Sequence, residues 1–228
     1  MQYDFYNQNN LYKPALAVKA RERLHTILFK GISFSSVLEV GIGFCELADY
    51  CRKKGIEWIG IDANEQLLEQ ARNKGYTVYQ AMMPAFPEVN EKCEAIFASH
   101  FIEHLKDYQE ALEFITKSKE LLKKKNGKYL ILLYPDIEKI GHFFWQDYTH
   151  SFVTNKKRIE DMLYDTGFEL VKSGRYTSCF FSTSGLISFI GKLFPYFLLP
   201  KKIAMFAKLS FQQHSYTIGK ITMNKPAT

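Results

Sequence analysis

The sequence predicts an α/β fold in which helices cover both faces of a mostly parallel, seven-stranded sheet. Apolar residues make up 46% of the 228 residues, which is enough to bury a large core. Short apolar runs typical of buried strands alternate along the chain with segments of helical periodicity. The last helical segment is followed by two strand-like segments, which allows an antiparallel last strand at one edge of the sheet.

Seven segments are predicted as strands because each is short and apolar or alternating, and several are bounded by turn residues. In chain order they are 36–41 (SVLEVG), 57–62 (EWIGID), 76–80, 93–99 (CEAIFAS), 128–134 (KYLILLY), 168–176 and 215–223 (SYTIGKITM). The first strand ends at a glycine, and the fifth begins after the turn at Asn126-Gly127 and ends before Pro135. The seventh segment shows the alternation expected of a final, half-buried strand.

Five segments are predicted as helices because their apolar side chains recur at helical spacing. In chain order they are 14–30 (PALAVKARERLHTILFK), 44–54, 64–74, 107–124 and 156–165. Gly55, Gly75 and Gly167 follow three of them, and glycine is the residue that most often ends a helix. Strands alternating with helices connect through right-handed crossovers, which produce a parallel sheet.

The composition excludes several other classes of protein. The apolar share and a charged share of 24% do not fit a disordered chain, a collagen-like repeat or a small disulfide scaffold. The N-terminal residues MQYDFYNQNN lack the pattern of a signal peptide. The cysteines form no C-x-x-C pair, so reduced thiols in a cytoplasmic protein are expected at Cys45, Cys51, Cys93 and Cys179.

Positive charge is concentrated toward the end of the chain. Residues 1–150 hold 19 Lys and Arg against 20 Asp and Glu, whereas residues 151–228 hold 11 against 4. No acidic residue follows Glu169. This distribution favours an anionic partner, such as a membrane surface, a phosphorylated substrate or a nucleic acid.

A glycine-containing turn after the first strand is the main candidate binding site. Gly41 and Gly43 let the backbone approach a ligand closely, and the following helix offers free N–H groups at its start. Asp62 ends the second strand, 21 residues after Gly41. A carboxylate at that point can accept both hydroxyls of a ribose, so the two features together predict a nucleoside-containing ligand.

Two glutamates narrow the choice of nucleoside. The dinucleotide-binding pattern G-x-G-x-x-G requires glycine at position 46, where this chain has Glu46. Glu39, two residues before Gly41, suits a cation or an ammonium group better than a pyrophosphate. S-adenosylmethionine carries a ribose, an ammonium and a sulfonium but no phosphate, and therefore fits this pattern.

Four ordered motifs resemble those of the class I S-adenosylmethionine-dependent methyltransferases, in the group (types 11, 12 and 23) with a Glu-His-Leu motif after the fourth strand. They are LEVGIGFCEL with GIDAN, IFASHFIEHLKD, LLKKKNGKYLILLYPD and DTGF, and they span about residues 36–175. The resemblance implies a Rossmann-like three-layer αβα sandwich and an enzyme with S-adenosyl-L-methionine as cofactor. Cys45 stands where the family's first motif usually has a third glycine.

The resemblance also implies which residues bind the cofactor. It assigns the methionine portion to Glu39, Gly41 and Gly43, the ribose to Asp62 with Ala63 and Asn64 at its rim, the adenine to Met82 or Met83, and the sulfonium side to Ser99 and His100. Relatives often have an acidic residue near the adenine, but this chain has Ala81-Met82-Met83 there, so apolar contacts and backbone groups are expected to hold the adenine. A structural turn with a helix-capping acid is the alternative for Gly41, Gly43 and Asp62.

Histidines after the strand ends are candidate catalytic residues, because a hydroxyl acceptor benefits from a base that titrates near neutral pH. His104, in the Glu-His-Leu motif, is either a base or a residue that orients its loop. Asp147 is expected to orient His150 by accepting its ring N–H. The alternative is an Asp-Thr cap that closes the pocket. No metal is expected, since no carboxylate cluster adjoins His142, Asp147 and His150.

Residues 177–213 separate the last two strands, where relatives commonly have a hairpin. The segment is rich in Phe, Leu and Ile, but lysines and prolines interrupt it before the roughly 20 apolar residues that a membrane span needs. Two short amphipathic helices are expected. They either lie on an anionic membrane as a lid for a lipid-linked acceptor, or pack on the domain or in a homodimer.

These observations predict a single methyltransferase domain over residues 1–228. It comprises an N-terminal helical cap (1–35), a cofactor-binding core (36–176), an apolar, basic insertion or lid (177–213) and the last strand (214–224). The expected reaction is O-methylation of a small-molecule, saccharide or lipid-linked acceptor. The expected location is the cytoplasm, with peripheral attachment to membranes in the interpretation in which residues 177–213 lie on a membrane.

Three alternatives to this function stay open at the level of sequence. The first is a noncatalytic protein that binds S-adenosylmethionine or docks on membranes. The second is a dinucleotide or nucleotide-sugar enzyme, which Glu39 and Glu46 disfavour. The third is a nucleic-acid methyltransferase, which is disfavoured because the fourth strand ends in ASHFIEH and not in an N/D-P-P-Y/F motif.

Overall fold

A computed structural model of the chain describes residues 15–177 and 213–222, together with Pro200. Its strands are β1 (Ser36–Val40), β2 (Glu57–Asp62), β3 (Thr77–Gln80), β4 (Ala95–Ser99), β5 (Tyr129–Pro135), β6 (Glu169–Thr177) and β7 (Gln213–Lys220). Its α-helices are α1 (Ala15–Phe29), α2 (Glu46–Lys54), α3 (Glu65–Asn73), α4 (Tyr108–Lys124), α5 (Ile137–Ile140) and α6 (Lys156–Asp165). All seven predicted strands and all five predicted helices are therefore present, with ends that differ by at most three residues.

The seven strands form one sheet in the order β3-β2-β1-β4-β5-β7-β6. Strands β1 to β5 pair in parallel, and β7 runs antiparallel to both of its neighbours. This confirms the mostly parallel sheet with an antiparallel last strand. The chain moves outward from β1 to β2 and β3 and then returns to β4 on the other side of β1. Ligands of open α/β sheets bind at such a switch point, beyond the carboxyl ends of the strands.

The core lies on both faces of the sheet, because alternate residues of a strand point to opposite faces. On one face Leu38 and Ile96 belong to a buried cluster with Phe114 of α4. On the other face Val37 and Phe97 belong to a second cluster, which includes residues of α1, α2 and α3. Helices on both faces confirm the three-layer αβα sandwich. Each fully buried large side chain stabilises the fold by about 1.5–3 kcal/mol.

Side-chain caps explain where three of the helices begin. The Asn64 side chain accepts the backbone N–H groups of Gln66 and Leu67 at the start of α3. Asp107 caps α4 in the same way, and Asn155 caps α6. Each such cap is worth about 1 kcal/mol.

Two short 3₁₀ helices were not predicted. They span Ile102–His104, after β4, and Gly141–Gln146, after α5. Helices of three to six residues are too short to show a periodic apolar pattern, so sequence periodicity does not reveal them. They matter for function because they lie beyond the carboxyl ends of β4 and β5.

Several predictions fall outside the described residues. These are residues 1–14 of the N-terminal cap, Cys179 and nearly all of the insertion at 177–213, with the membrane-docking and homodimer interpretations that depend on it. Cys45, Cys51 and Cys93 are free cysteines and are buried. Among the described residues, no helix combines the length and the apolar character needed to cross a membrane.

Candidate active site

The turn between β1 and α2 adopts a backbone conformation that suits glycine. Gly41 and Gly43 have φ angles of +77° and +49°, which L side chains rarely adopt. Cys45 has a φ of 64°, so this position also adopts the left-handed conformation, although it is not a glycine here. The turn thus keeps the backbone shape of a three-glycine loop, and Cys45 is buried within it.

Asp62 lies at the end of β2 and is hydrogen-bonded to this turn. Its Oδ2 accepts the backbone N–H of Ile42 at 3.0 Å, and its Oδ1 accepts the N–H of Asn64 at 2.8 Å. Burial raises the pKa of Asp62, and the hydrogen bonds from Asn64 and Ile42 offset part of that rise. Each carboxylate oxygen retains a lone pair, so both can accept a ribose hydroxyl.

Glu39 is buried, and its side chain lies on the face of the sheet that α1 and α2 cover. The residue is 5% exposed, and its Oε2 accepts the indole N–H of Trp58 at 2.9 Å. Burial raises the pKa of Glu39 well above its usual value, and the hydrogen bond from Trp58 opposes that shift. A buried carboxylate is stabilised by a cationic partner, which the ammonium group of a methionine moiety provides.

The two methionines after β3 differ in their environments. Met82 is 68% exposed, whereas Met83 is 7% exposed and belongs to the core cluster with Leu38. Met82 is therefore the better placed of the two to contact an adenine. The side chain of Asn64 is engaged in capping α3. A contact between Asn64 and the ribose, as the sequence predicts, would therefore involve its backbone.

His100 follows Ser99 at the end of β4 and contacts the last two strands. Its Nδ1 lies 3.3 Å from Glu103 Oε1, and its Nε2 lies 3.2 Å from the hydroxyl of Tyr176 on β6. Its ring contacts the ring of His214 on β7 edge-on, at a centroid distance of 4.5 Å. Tyr176 and His214 were not predicted as site residues, because they are distant from His100 in the chain and belong to no motif.

The predicted hydrogen bond between Asp147 and His150 is not formed. His150 Nε2 lies 3.8 Å from Asp147 Oδ2, which is too long, and His150 Nδ1 instead donates to the carbonyl of Phe144 at 2.8 Å. Asp147 accepts the hydroxyl of Thr149 at 2.5 Å, and Thr149 Oγ1 lies 2.9 Å from His104 Nδ1. Asp147 therefore orients His104, through Thr149, and not His150.

Electrostatic effects differ between the two ends of this hydrogen-bond chain. Burial lowers the pKa of His104, which favours the neutral imidazole. Burial alone would raise the pKa of Asp147, but the hydrogen bonds from Thr149 lower it overall, so this group is a carboxylate. The hydroxyl of Thr149 thus connects the charged Asp147 carboxylate to the neutral ring of His104.

The loops after β4 and β5 are held together by backbone hydrogen bonds. The carbonyl of Glu103 accepts the N–H groups of Ser151 and Phe152 at 2.9 and 3.0 Å. As a result the ring centroids of His104 and His150 lie 5.0 Å apart. Glu103 is a site residue that the sequence did not predict, and its signal was its place next to His104 in the Glu-His-Leu motif. Thr149 entered the prediction only through the alternative of an Asp-Thr cap, and its N–H and hydroxyl do bond to Asp147.

Comparison with known proteins identifies the family of this chain. A family model described as a methyltransferase domain matches residues 12–173, more than half of the chain. A search of curated protein sequences found no match.

Solved structures of methyltransferases share the fold. A SAM-dependent methyltransferase from Archaeoglobus fulgidus superposes with a TM-score of 0.65 at 23% identity, covering 96% of this chain and 100% of its own. Magnesium protoporphyrin IX methyltransferase from Synechocystis, solved with bound SAH, gives 0.60 at 14% identity, covering 97% and 95%. The CcbJ methyltransferase from Streptomyces caelestis gives 0.61 at 13% identity, covering 92% and 94%.

The sheet order and the family match together identify a class I methyltransferase, and the chain belongs to the methyltransferase-domain family. It is an enzyme, and its cofactor is S-adenosylmethionine. The described residues fit that cofactor. The Cβ position of Gly43 faces open space, Asp62 offers two acceptor oxygens, and buried Glu39 is suited to an ammonium group.

Proposed function

We propose that this methyltransferase acts on an oxygen atom, the hydroxyl of a small-molecule, saccharide or lipid-linked acceptor. The observation that carries the proposal is that His104 and His150 are each held by a hydrogen bond, to Thr149 and to the Phe144 carbonyl, with their rings close together. Both lie on loops beyond the carboxyl ends of the strands, where the acceptor of such a fold binds.

Hydrogen bonding shows which ring nitrogen of each histidine acts as the donor. Thr149 has a single hydroxyl hydrogen, and Asp147, a carboxylate, can only accept it. Thr149 Oγ1 therefore accepts from His104 Nδ1, and the lone pair of His104 lies on Nε2. His150 donates from Nδ1 to the Phe144 carbonyl, so its lone pair also lies on Nε2. Two ring nitrogens that can accept a proton favour a methyl acceptor that must lose one during the reaction, such as a hydroxyl group.

The cofactor-binding residues have separate tasks in this proposal. Asp62 fixes the ribose, Glu39 pairs with the ammonium group, and Met82 covers the adenine. Gly41 and Gly43 let the backbone reach the methionine portion. When bound, S-adenosylmethionine supplies an electrophilic methyl group on a sulfonium, which the acceptor oxygen displaces in line. Ser99 and His100 then border the methionine and sulfonium side of the reaction.

Aromatic side chains support an acceptor with a ring. Trp145 and Tyr148 are 59% and 82% exposed on the loop that carries Asp147 and His150. Phe144 contacts the rings of both Trp145 and His150, at centroid distances of 5.0 and 4.7 Å. Exposed aromatic rings next to a polar site suit a ligand with an apolar face and hydroxyl groups, such as a saccharide or a phenol.

The proposal is tested with radiolabelled S-adenosylmethionine and a panel of phenols, hexoses and primary amines. We expect the label in a methyl ether. His150→Ala and His104→Ala should lower turnover at least 100-fold, the scale of a general acid–base contribution, while the affinity for S-adenosylhomocysteine stays within threefold. His142→Ala, an exposed histidine on the loop after β5, is the matched control. Label in an N-methyl product, or unchanged turnover in both variants, would contradict O-methylation.

A further inference from the structure

One carboxylate and two imidazoles lie close together on the loops after β4 and β5. Glu103, His104 and His150 each offer one ligand atom, and these three atoms lie within 4.8 Å of one another. We propose that Glu103, His104 and His150 bind a divalent transition-metal ion of the zinc type. The proposed role of this ion, to bind the acceptor oxygen, rests on the proposed function, whereas metal binding itself does not.

Glu103 supplies the observation that points most directly to a cation. Its side chain is fully buried, and Oε1 lies 3.3 Å from His100 Nδ1. Its Oε2 is buried as well and has no hydrogen-bond partner among the described residues. A buried carboxylate oxygen without a partner is costly, and coordination to a metal removes that cost.

Both histidines are arranged as metal-binding histidines usually are. Such a histidine donates from one ring nitrogen to a carboxylate, a hydroxyl or a backbone carbonyl, and binds the metal through the other. His150 donates from Nδ1 to the Phe144 carbonyl at 2.8 Å. His104 donates from Nδ1 to Thr149, which donates in turn to Asp147. In each ring Nδ1 is engaged as the donor, which leaves Nε2 as the nitrogen that can bind a metal.

The donor set selects the class of metal. Two imidazole nitrogens and one carboxylate oxygen suit Zn²⁺ and neighbouring transition metals, whereas Mg²⁺ and Ca²⁺ prefer oxygen ligands alone. Three protein ligands leave a position open, as in catalytic zinc sites. With bonds of ~2.0–2.2 Å, ligand atoms in a tetrahedron lie ~3.4 Å apart. Binding therefore requires the three side chains to move together by on the order of 1 Å.

The open position would receive the acceptor hydroxyl. With the ion bound, His104 and His150 serve as its ligands, and the ion takes over from their Nε2 atoms the task of promoting loss of the hydroxyl proton. A divalent cation lowers the pKa of an oxygen ligand, so the hydroxyl proton passes to water near neutral pH. The bond between the acceptor oxygen and the methyl carbon then forms as the sulfur–methyl bond breaks. The electron pair of the broken bond stays on the sulfur, which becomes a neutral thioether. No oxidant or reductant is needed.

The expectation of no metal was based on His142, Asp147 and His150, which are close together in the sequence. His142 is exposed, and Asp147 is engaged with Thr149. The carboxylate that completes the cluster is Glu103, which comes from a different loop and is brought to His150 by the backbone hydrogen bonds from Ser151 and Phe152. Spacing along the chain could not show this, because the loops after β4 and β5 meet only in the folded protein.

The experiment measures metal binding in the absence of any acceptor. The full chain is treated with a chelator, and Zn²⁺ is added in a calorimeter. Co²⁺ is added in a parallel sample, whose visible absorption reports the coordination. We expect one ion per chain. Glu103→Gln and His150→Ala should weaken Zn²⁺ binding at least tenfold, whereas His142→Ala should bind as the wild type does.

Retained affinity for S-adenosylhomocysteine shows that a variant is folded. If Glu103→Gln or His150→Ala loses this affinity, His150→Gln is measured in its place. The absence of saturable Zn²⁺ binding would overturn the proposal. So would binding that Glu103→Gln and the His150 variants leave unchanged. This titration contains no methyl acceptor. If Zn²⁺ does not bind, the proposal of O-methylation still stands, and if the methyl group is not transferred to oxygen, the proposal of metal binding still stands.

Discussion

Ile42 donates its backbone N–H to Asp62 Oδ2 at 3.0 Å, so the turn after β1 is tied to the end of β2. A second hydrogen bond, from the N–H of Gly41 to the carbonyl of Ile61 at 2.9 Å, joins the same two segments. The shape of the glycine turn and the proposed ribose contact therefore both depend on the Asp62 side chain.

Asp62→Ala should weaken the binding of S-adenosylhomocysteine about 10- to 100-fold. The variant loses charge-assisted hydrogen bonds, which are worth about 1.5–3 kcal/mol at a buried site. Asp62→Asn should fall between the wild type and the alanine variant, because it keeps one acceptor oxygen but not the charge. Calorimetric titration measures all three proteins. Glu57→Ala, at the exposed start of the same strand, is the control. Wild-type affinity in Asp62→Ala would contradict the assignment of Asp62 to the ribose.

Glu39→Gln should change how the stability of the cofactor-free protein depends on pH. Burial raises the pKa of Glu39 well above 4.5, so above pH 4.5 the folded protein retains a proton that the unfolded chain releases. The stability linked to this group is complete below pH 4.5 and is lost as the pH rises through the folded pKa. Urea unfolding at several pH values should show this loss in the wild type and not in the variant.

The same substitution should weaken cofactor binding, because glutamine cannot pair with an ammonium group as a carboxylate does. A loss of about tenfold in affinity for S-adenosylhomocysteine is expected, at the lower end of the range for hydrogen bonds between charged groups. Equal affinity in the two proteins would show that Glu39 has no contact with the cofactor.

Cys45→Gly should be more stable than Cys45→Ala by about 1 kcal/mol, although glycine is usually the less stable residue in a helix. The reason is the φ of 64°, which costs an L residue roughly 1–2 kcal/mol and glycine almost nothing. The same pair of substitutions at Cys51, inside α2, is the matched control and should show the usual order, with alanine better by about 1 kcal/mol. Chemical denaturation gives all four free energies of unfolding.

His25 should make the protein sensitive to acid. Burial, and to a lesser extent Arg21, lowers the pKa of His25 from 6.5 to about 4, against the opposing effect of Glu46 and Glu22. Its ring packs against those of Phe29, Tyr50 and Phe97. Since the folded pKa is the lower one, stability is complete above pH 6.5 and falls as the pH drops toward 4, by about 3 kcal/mol.

His25→Leu should remove this acid-dependent loss. Unfolding by urea at pH 7 and pH 4 measures the difference in each protein. His142→Leu, at an exposed position, should behave as the wild type does. An unchanged difference between the two pH values in His25→Leu would show that the ring is protonated in the folded state.

The strands and long helices could be predicted because their signals are local. SVLEV and EWIGID are apolar enough to be strands in nearly any sheet, and Asn64 and Asp107 cap helices that begin beside them. The short helix Ile102–His104 escaped prediction because three residues carry no periodicity. It also carries two of the three proposed metal ligands.

The class of enzyme and its cofactor follow from the amino-acid sequence alone. Gly41, Gly43 and Asp62 lie at strand ends that a parallel sheet necessarily brings together, so their spacing along the chain is enough to indicate the site. The partners of the histidines, in contrast, are set by the folding of distant loops. Asp147 meets His104 through Thr149, and Glu103 meets His150, because backbone hydrogen bonds hold the loops after β4 and β5 against each other. Contacts between loops depend on such long-range bonds, which leave no pattern in the local sequence.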